Sequence, residues 1–107
     1  MKIEINKDSK VQIINITLPN DKKYEFEGYE VKDLLKGFQI ENYVEFSSND
    51  GVVIALALDE IMEDKNVYLV TKENGKDILP KGSYRLVISS DEYCRRWTKG
   101  IVSVDLY

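Results

Sequence analysis

Histidine is absent from this 107-residue chain. Without an imidazole there is no serine or cysteine nucleophile system of the usual kind, no ordinary zinc site, and no side chain that titrates unperturbed near neutrality. A conventional hydrolase is therefore a poor expectation. Cysteine occurs once, as Cys94, so no internal disulfide can form. No apolar run is long enough to cross a bilayer, and the amino terminus lacks the basic-then-apolar pattern of a secretory leader. The chain is expected to have no membrane span and reads as soluble, with the cytoplasm as the default compartment. Basic residues are also in short supply: 15 Lys and Arg stand against 19 Asp and Glu, a formal net charge of -4. No nucleic-acid partner is expected, because neutralising phosphates needs a basic face rather than a locally basic spot.

What is present is an ordinary globular composition, 43% hydrophobic and 32% charged, in a chain of single-domain length. No linker, repeat or low-complexity segment interrupts residues 1–107. Lys2 to Asn6 alternates with period two, and Val11 to Leu18 continues in β-branched style, so two strands are expected around a polar turn at Lys7 to Lys10. Tyr24 and Phe26 alternate with glutamates in a strand ending at Gly28. Val31, Leu34, Leu35 and Phe38 then fall at i, i+3, i+4 and i+7, the stripe of an amphipathic helix that Gly37 would end. Tyr43 to Phe46 reads as a strand, Asn49-Asp50-Gly51 as a turn, and the continuous apolar run Val52 to Leu58 as a buried strand. Leu58, Ile61 and Met62 form the inner side of a helical turn. Asp59, Glu60, Glu63 and Asp64 would be its solvated face rather than a metal site, since adjacent helical positions diverge. Val67 to Val70 is a strand, Glu73-Asn74-Gly75 a hairpin turn, and Ile78-Leu79-Pro80 leads into Gly82. The fold class expected is α+β, a mixed sheet or pair of sheets with one clear helix.

The stretch from Lys81 to Tyr107 gathers charge of the scarcer sign. Arg85 lies on one strand, Arg95, Arg96 and Lys99 flank Trp97 in a short connection, and Ile101 to Tyr107 closes the chain. Two readings stand side by side: an aromatic anchor with solvated charges around it, or a pocket for an anion. Arg85 should face away from Tyr84 and Leu86 because strand neighbours alternate. Guanidinium forks suit phosphate or carboxylate, and Lys99 would add a point charge. Trp97 could stack on a planar ligand, although plugging the core is the simpler role.

The order of these residues resembles a known family. Tyr84-Arg85-Leu86-Val87-Ile88, then Arg96-Trp97-Thr98-Lys99, then Val104-Asp105-Leu106 is similar to the close of the molybdopterin-binding domain of sulfite oxidase-type oxidoreductases. Phe26-Glu27-Gly28 before the leucine-bearing helix, with Phe26 where the family usually has tryptophan, and the strand-turn-strand around Ser48-Asn49-Asp50-Gly51 agree with it. The resemblance covers Tyr24 to Leu106. It implies molybdopterin as cofactor, with Arg85 and Lys99 in the region facing it; Arg96 and Trp97 are expected to complete the same cofactor-binding site. It also implies a cysteine ligand to molybdenum upstream of the aromatic-glycine-helix segment. No cysteine precedes Phe26, and Cys94 is not at that position. The redox centre is therefore expected to be missing while the anion-binding half survives.

Three functions follow as expectations. The first is a small non-redox relative that binds an anionic, pterin-like small molecule. The second is a protein interaction or structural module, for which seven tyrosines would supply contact area. The third, ranked last, is an oxidoreductase whose metal ligand comes from another chain or from Cys94; molybdenum or tungsten in the purified protein would reveal it.

Overall fold

The computed structural model describes residues 1–6, 8–78, 80–91 and 94–107; Lys7 of the expected first turn, Leu79, and Glu92 and Tyr93 of the last connection lie outside them. The elements in order are β1 (Lys2–Ile3), β2 (Gln12–Thr17), β3 (Lys23–Glu30), α1 (Val31–Leu34), β4 (Tyr43–Ser48), β5 (Val53–Ala57), α2 (Leu58–Met62), β6 (Val67–Glu73), β7 (Lys76–Asp77), β8 (Tyr84–Ile88) and β9 (Thr98–Leu106). The content is mostly β with two short helices, so α+β holds coarsely. The strands form one sheet in the order β2-β3-β6-β8-β9-β4-β5, with β1 on β9 and β7 on β6. Every described pairing is antiparallel, where a mixed sheet was expected. Hairpin connections explain this: the chain between neighbours such as β2 and β3, or β4 and β5, is too short for a parallel crossover.

Strand alternation splits the core across the two faces of this sheet. On the central strands, Val67, Leu69, Tyr84, Leu86 and Ile88 face one cluster, and Tyr68, Val70 and Val87 face the other. The first cluster also contains Val44, Phe46, Leu56, Ile101 and Val104, with Val31, Leu34 and Ile61 from the helices and Leu35 just past α1. The second is covered by the β2–β3 hairpin through Ile14, Ile16, Leu18 and Phe26. Phe26 and Phe46 are fully buried, which contributes roughly 1.5–3 kcal/mol each. No helix among the described residues is long and apolar enough to cross a membrane.

Several local expectations change. The helix closes at Leu34 instead of running to Phe38: Phe38 N–H returns to Leu35 C=O and Gly37 takes a φ of 86°, which swings the chain off the helix axis. Phe38 is consequently exposed, whereas Val31, Leu34 and Leu35 are buried. β3 continues through Gly28 to Glu30. A Cβ at Gly28 would lie 2.4 Å from Leu69 O and from Val70 Cα, and the β3–β6 register shifts there. Gly28 is thus needed for a bulge with close backbone approach, not to end a strand. The apolar run Val52 to Leu58 does not form a buried strand. It contributes β5, an outermost strand of the sheet on which Leu56 is buried while Val53, Ala55 and Ala57 are exposed. The acidic turn of α2 is only partly a solvated face: Asp59 and Glu63 are exposed, but Glu60 is half-buried and pairs with Arg96, and Asp64 pairs with Lys32.

Candidate functional site

β9 begins at Thr98, earlier than the Ile101 expected from the apolar pattern. The pairing with β8 runs Tyr84 to Ile101 and then Leu86 to Thr98, so Arg85 stands opposite two residues, Lys99 and Gly100. Gly100 adopts a φ of 76°, a conformation that permits the extra residue of a bulge. This Lys-Gly insertion puts Lys99 and Arg85, from neighbouring strands, on the wall of one cleft of about 490 Å³. Lys76, Glu73, Asp77 and Ile78 from the β6–β7 hairpin and the chain after it complete the wall.

Arg85 faces away from Tyr84 and Leu86, as strand alternation requires, and its side chain is only 13% exposed. Its Nη1 donates to Glu73 Oε2 at 2.8 Å. The guanidinium carbon lies 5.4 Å from the Trp97 ring centroid and 5.8 Å from that of Phe26. Nε is buried and has no hydrogen-bond partner among the described residues. Lys99 is exposed and makes no ion pair among the described residues. Cations outnumber carboxylates around this cleft by one, counting Lys76, Arg85 and Lys99 against Glu73 and Asp77.

Trp97 is half-buried and packs against both core clusters. Its Nε1–H donates to Ile88 C=O at 2.9 Å, and its ring meets Tyr24 and Phe26 edge-on at 5.5 Å. It supports Arg85 from beneath, in the plug position. Arg96, one residue earlier, goes elsewhere. Its Nε and Nη2 form a fork on Asp91 at 2.8 and 2.6 Å, and Nη1 donates to Glu60 at 3.1 Å. The hydrogen bonds it donates to Asp91, and then to Glu60, push the guanidinium pKa above its already high ordinary value. Four residues were expected to face one ligand; the fold brings together Arg85, Lys99 and the supporting Trp97, and ties Arg96 to carboxylates of its own loop and of α2. Arg95 is exposed.

Cys94 is not among the residues that line this cleft. It is half-buried against the second core cluster, at a φ of 59°. No group of three or more potential metal-ligating side chains occurs among the described residues. The described residues lining the cleft include no cysteine, so the cleft itself offers no thiolate to a molybdenum centre.

Glu73, Lys76 and Asp77 were not anticipated as part of the site. The signal was there in part: the Glu73-Asn74-Gly75 turn fixes a tight hairpin, and a tight hairpin necessarily sets the residues on either side of it close together. Neither a protein-family model nor a curated protein matches the chain.

Proposed function

We propose that this chain is a non-redox binding domain whose cleft, lined by β8, β9 and the β6–β7 hairpin, takes an anionic small molecule with a planar, pterin-like ring. The observation that carries this reading is the bulge opposite Arg85, which sets Lys99 beside an arginine already backed by Trp97. Arg85 and Lys99 hold the anion, Lys76 adds charge at the rim, and Glu73 keeps Arg85 in place while competing with the ligand for it. The resemblance to molybdopterin-binding domains supports the choice of ring. The cofactor when bound to a complete family site carries molybdenum chemistry; here the chain's own residues orient an anion and move no proton or electron.

Isothermal titration with a phosphate-bearing pterin tests this. Saturable heat that falls as salt rises and disappears in Arg85→Ala is the expected outcome. Absence of heat with the wild type, or heat unchanged in Arg85→Ala, would overturn it.

A further inference from the structure

The outer edge of β5 is unusual for an exposed strand. Among the described residues β5 pairs only with β4, and it is an end of the strand order. Natural edge strands are commonly guarded by lysine, proline or a bulge. Residues 52–57 read Val-Val-Ile-Ala-Leu-Ala, with no charge, no proline and no register shift against β4.

Backbone geometry shows which groups are open. Ser48 N–H donates to Val52 C=O at 2.8 Å, which makes this a hydrogen-bonded pair at the mouth of the hairpin. Alternation along an antiparallel ladder then turns the peptide groups of Ile54 and Leu56 toward β4, and those of Val53 and Ala55 toward the open edge. Val53 is 52% exposed, and Val52 and the Tyr43 side chain on β4 are also exposed, so apolar surface adjoins the free backbone.

Charge selects the occupant. Asp50 precedes the strand and Asp59 follows it; both are exposed and neither has an ion-pair partner among the described residues. The hydrogen bond from Ser48 Oγ holds the Asp50 carboxyl below the ordinary carboxylate range, so it is charged at neutral pH. Because both ends of β5 are acidic, pairing with β5 of a second copy, in either direction, sets carboxylate against carboxylate. An extended peptide with an apolar centre and basic ends meets the edge without that conflict.

We infer that β5 is a docking edge for an extended segment of a partner protein, with small or β-branched residues at its centre and Lys or Arg at both ends. The segment adds a strand to the sheet: main-chain hydrogen bonds to Val53 and Ala55 supply register-independent attraction, and Asp50 and Asp59 select the basic flanks. This inference is independent of the anion cleft.

The test is fluorescence anisotropy with a labelled peptide of alternating valine and threonine carrying lysines at both ends, beside a neutral-ended version. Sedimentation is run in parallel on the free protein. The expected result is saturable binding of the basic-ended peptide to a monomer, at least tenfold tighter than the neutral one. In the double variant Asp50→Asn, Asp59→Asn that preference should shrink to within a few-fold. Ala55→Pro, confirmed as folded by circular dichroism, should lose binding of both peptides, because proline removes the outward N–H. No saturable binding, equal binding of the two peptides to the wild type, or a wild-type dimer that Ala55→Pro dissociates would each overturn the inference, the last by making a second copy the occupant.

Discussion

Two arginines flank Trp97 in space, Arg85 from the neighbouring strand and Arg96 from the same loop, and they meet opposite fates. Arg96 is held in a fork by Asp91 and by a further bond from Glu60, so its donors are largely spent within the fold. Among the described residues Arg85 has a single carboxylate partner, a buried Nε with none, and a lysine opposite it across a bulge. A guanidinium becomes available to a ligand when its carboxylate complement is incomplete, and not simply because it sits in a locally basic stretch of sequence.

The most disruptive way to break this contrast is to remove the frame that aligns β3, β6 and β8. Gly28→Ala forces a Cβ into Leu69 O and Val70 Cα, backbone-level contacts that cannot rotate away. A loss of about 3 kcal/mol in denaturant unfolding is expected, with the Arg85 cleft lost at the same time.

A second change acts on one arginine alone. Arg96→Ala strands Asp91, whose side chain is 10% exposed, without its fork. Since Arg96 itself is partly solvated, the cost should be about 1–2 kcal/mol. Ligand heat should survive in this variant and vanish in Arg85→Ala, which separates a structural arginine from a binding one.

Alkaline pH probes the sheet behind both. Burial, with a smaller contribution from Glu30, pushes the Tyr68 hydroxyl up to about 12, and burial, then Tyr29, raises Tyr84. Folding therefore favours the neutral phenols. This stability is fully present below the ordinary tyrosine value near 10 and is lost as pH rises from there through about 12, because only the unfolded chain ionises readily in that window. Unfolding midpoints should fall over that range, and the part of the tyrosinate absorbance that Tyr68→Phe removes should rise with unfolding rather than before it.

The smallest expected effect on stability is that of Lys99→Ala, within about 0.5 kcal/mol, since Lys99 is exposed and makes no ion pair among the described residues. Its anion affinity should nevertheless drop several-fold, and the salt dependence of binding should flatten.

Much of the fold was legible. Alternating β-branched runs located most strands, and Asn-Asp-Gly and Glu-Asn-Gly located their turns, because those signals are local. Two apolar stretches misled for the same reason. The stripe ending at Phe38 continued past a glycine whose positive φ ended the helix, and the run Val52 to Leu58 carries no sign of whether a further strand covers it. At the site, strand alternation correctly turned Arg85 away from Tyr84 and Leu86. Grouping Arg96 with it failed because Glu60, far away in sequence, competes for that guanidinium, and Asp91 supplies the fork; neither pairing has a pattern in the sequence. The bulge at Lys99 and Gly100 had a faint signal, a glycine just ahead of an apolar strand, which reads equally well as the strand's beginning.

The paired titration of Glu73→Gln and Glu60→Gln with a phosphate-bearing pterin tests the central claim most directly. Removing the Glu73 charge frees Arg85 and should tighten binding several-fold, while removing the Glu60 charge, which pairs with Arg96, should leave affinity at the wild-type value. Equal effects from the two substitutions, or weaker binding in Glu73→Gln, would contradict the assignment of the cleft to Arg85 and Lys99.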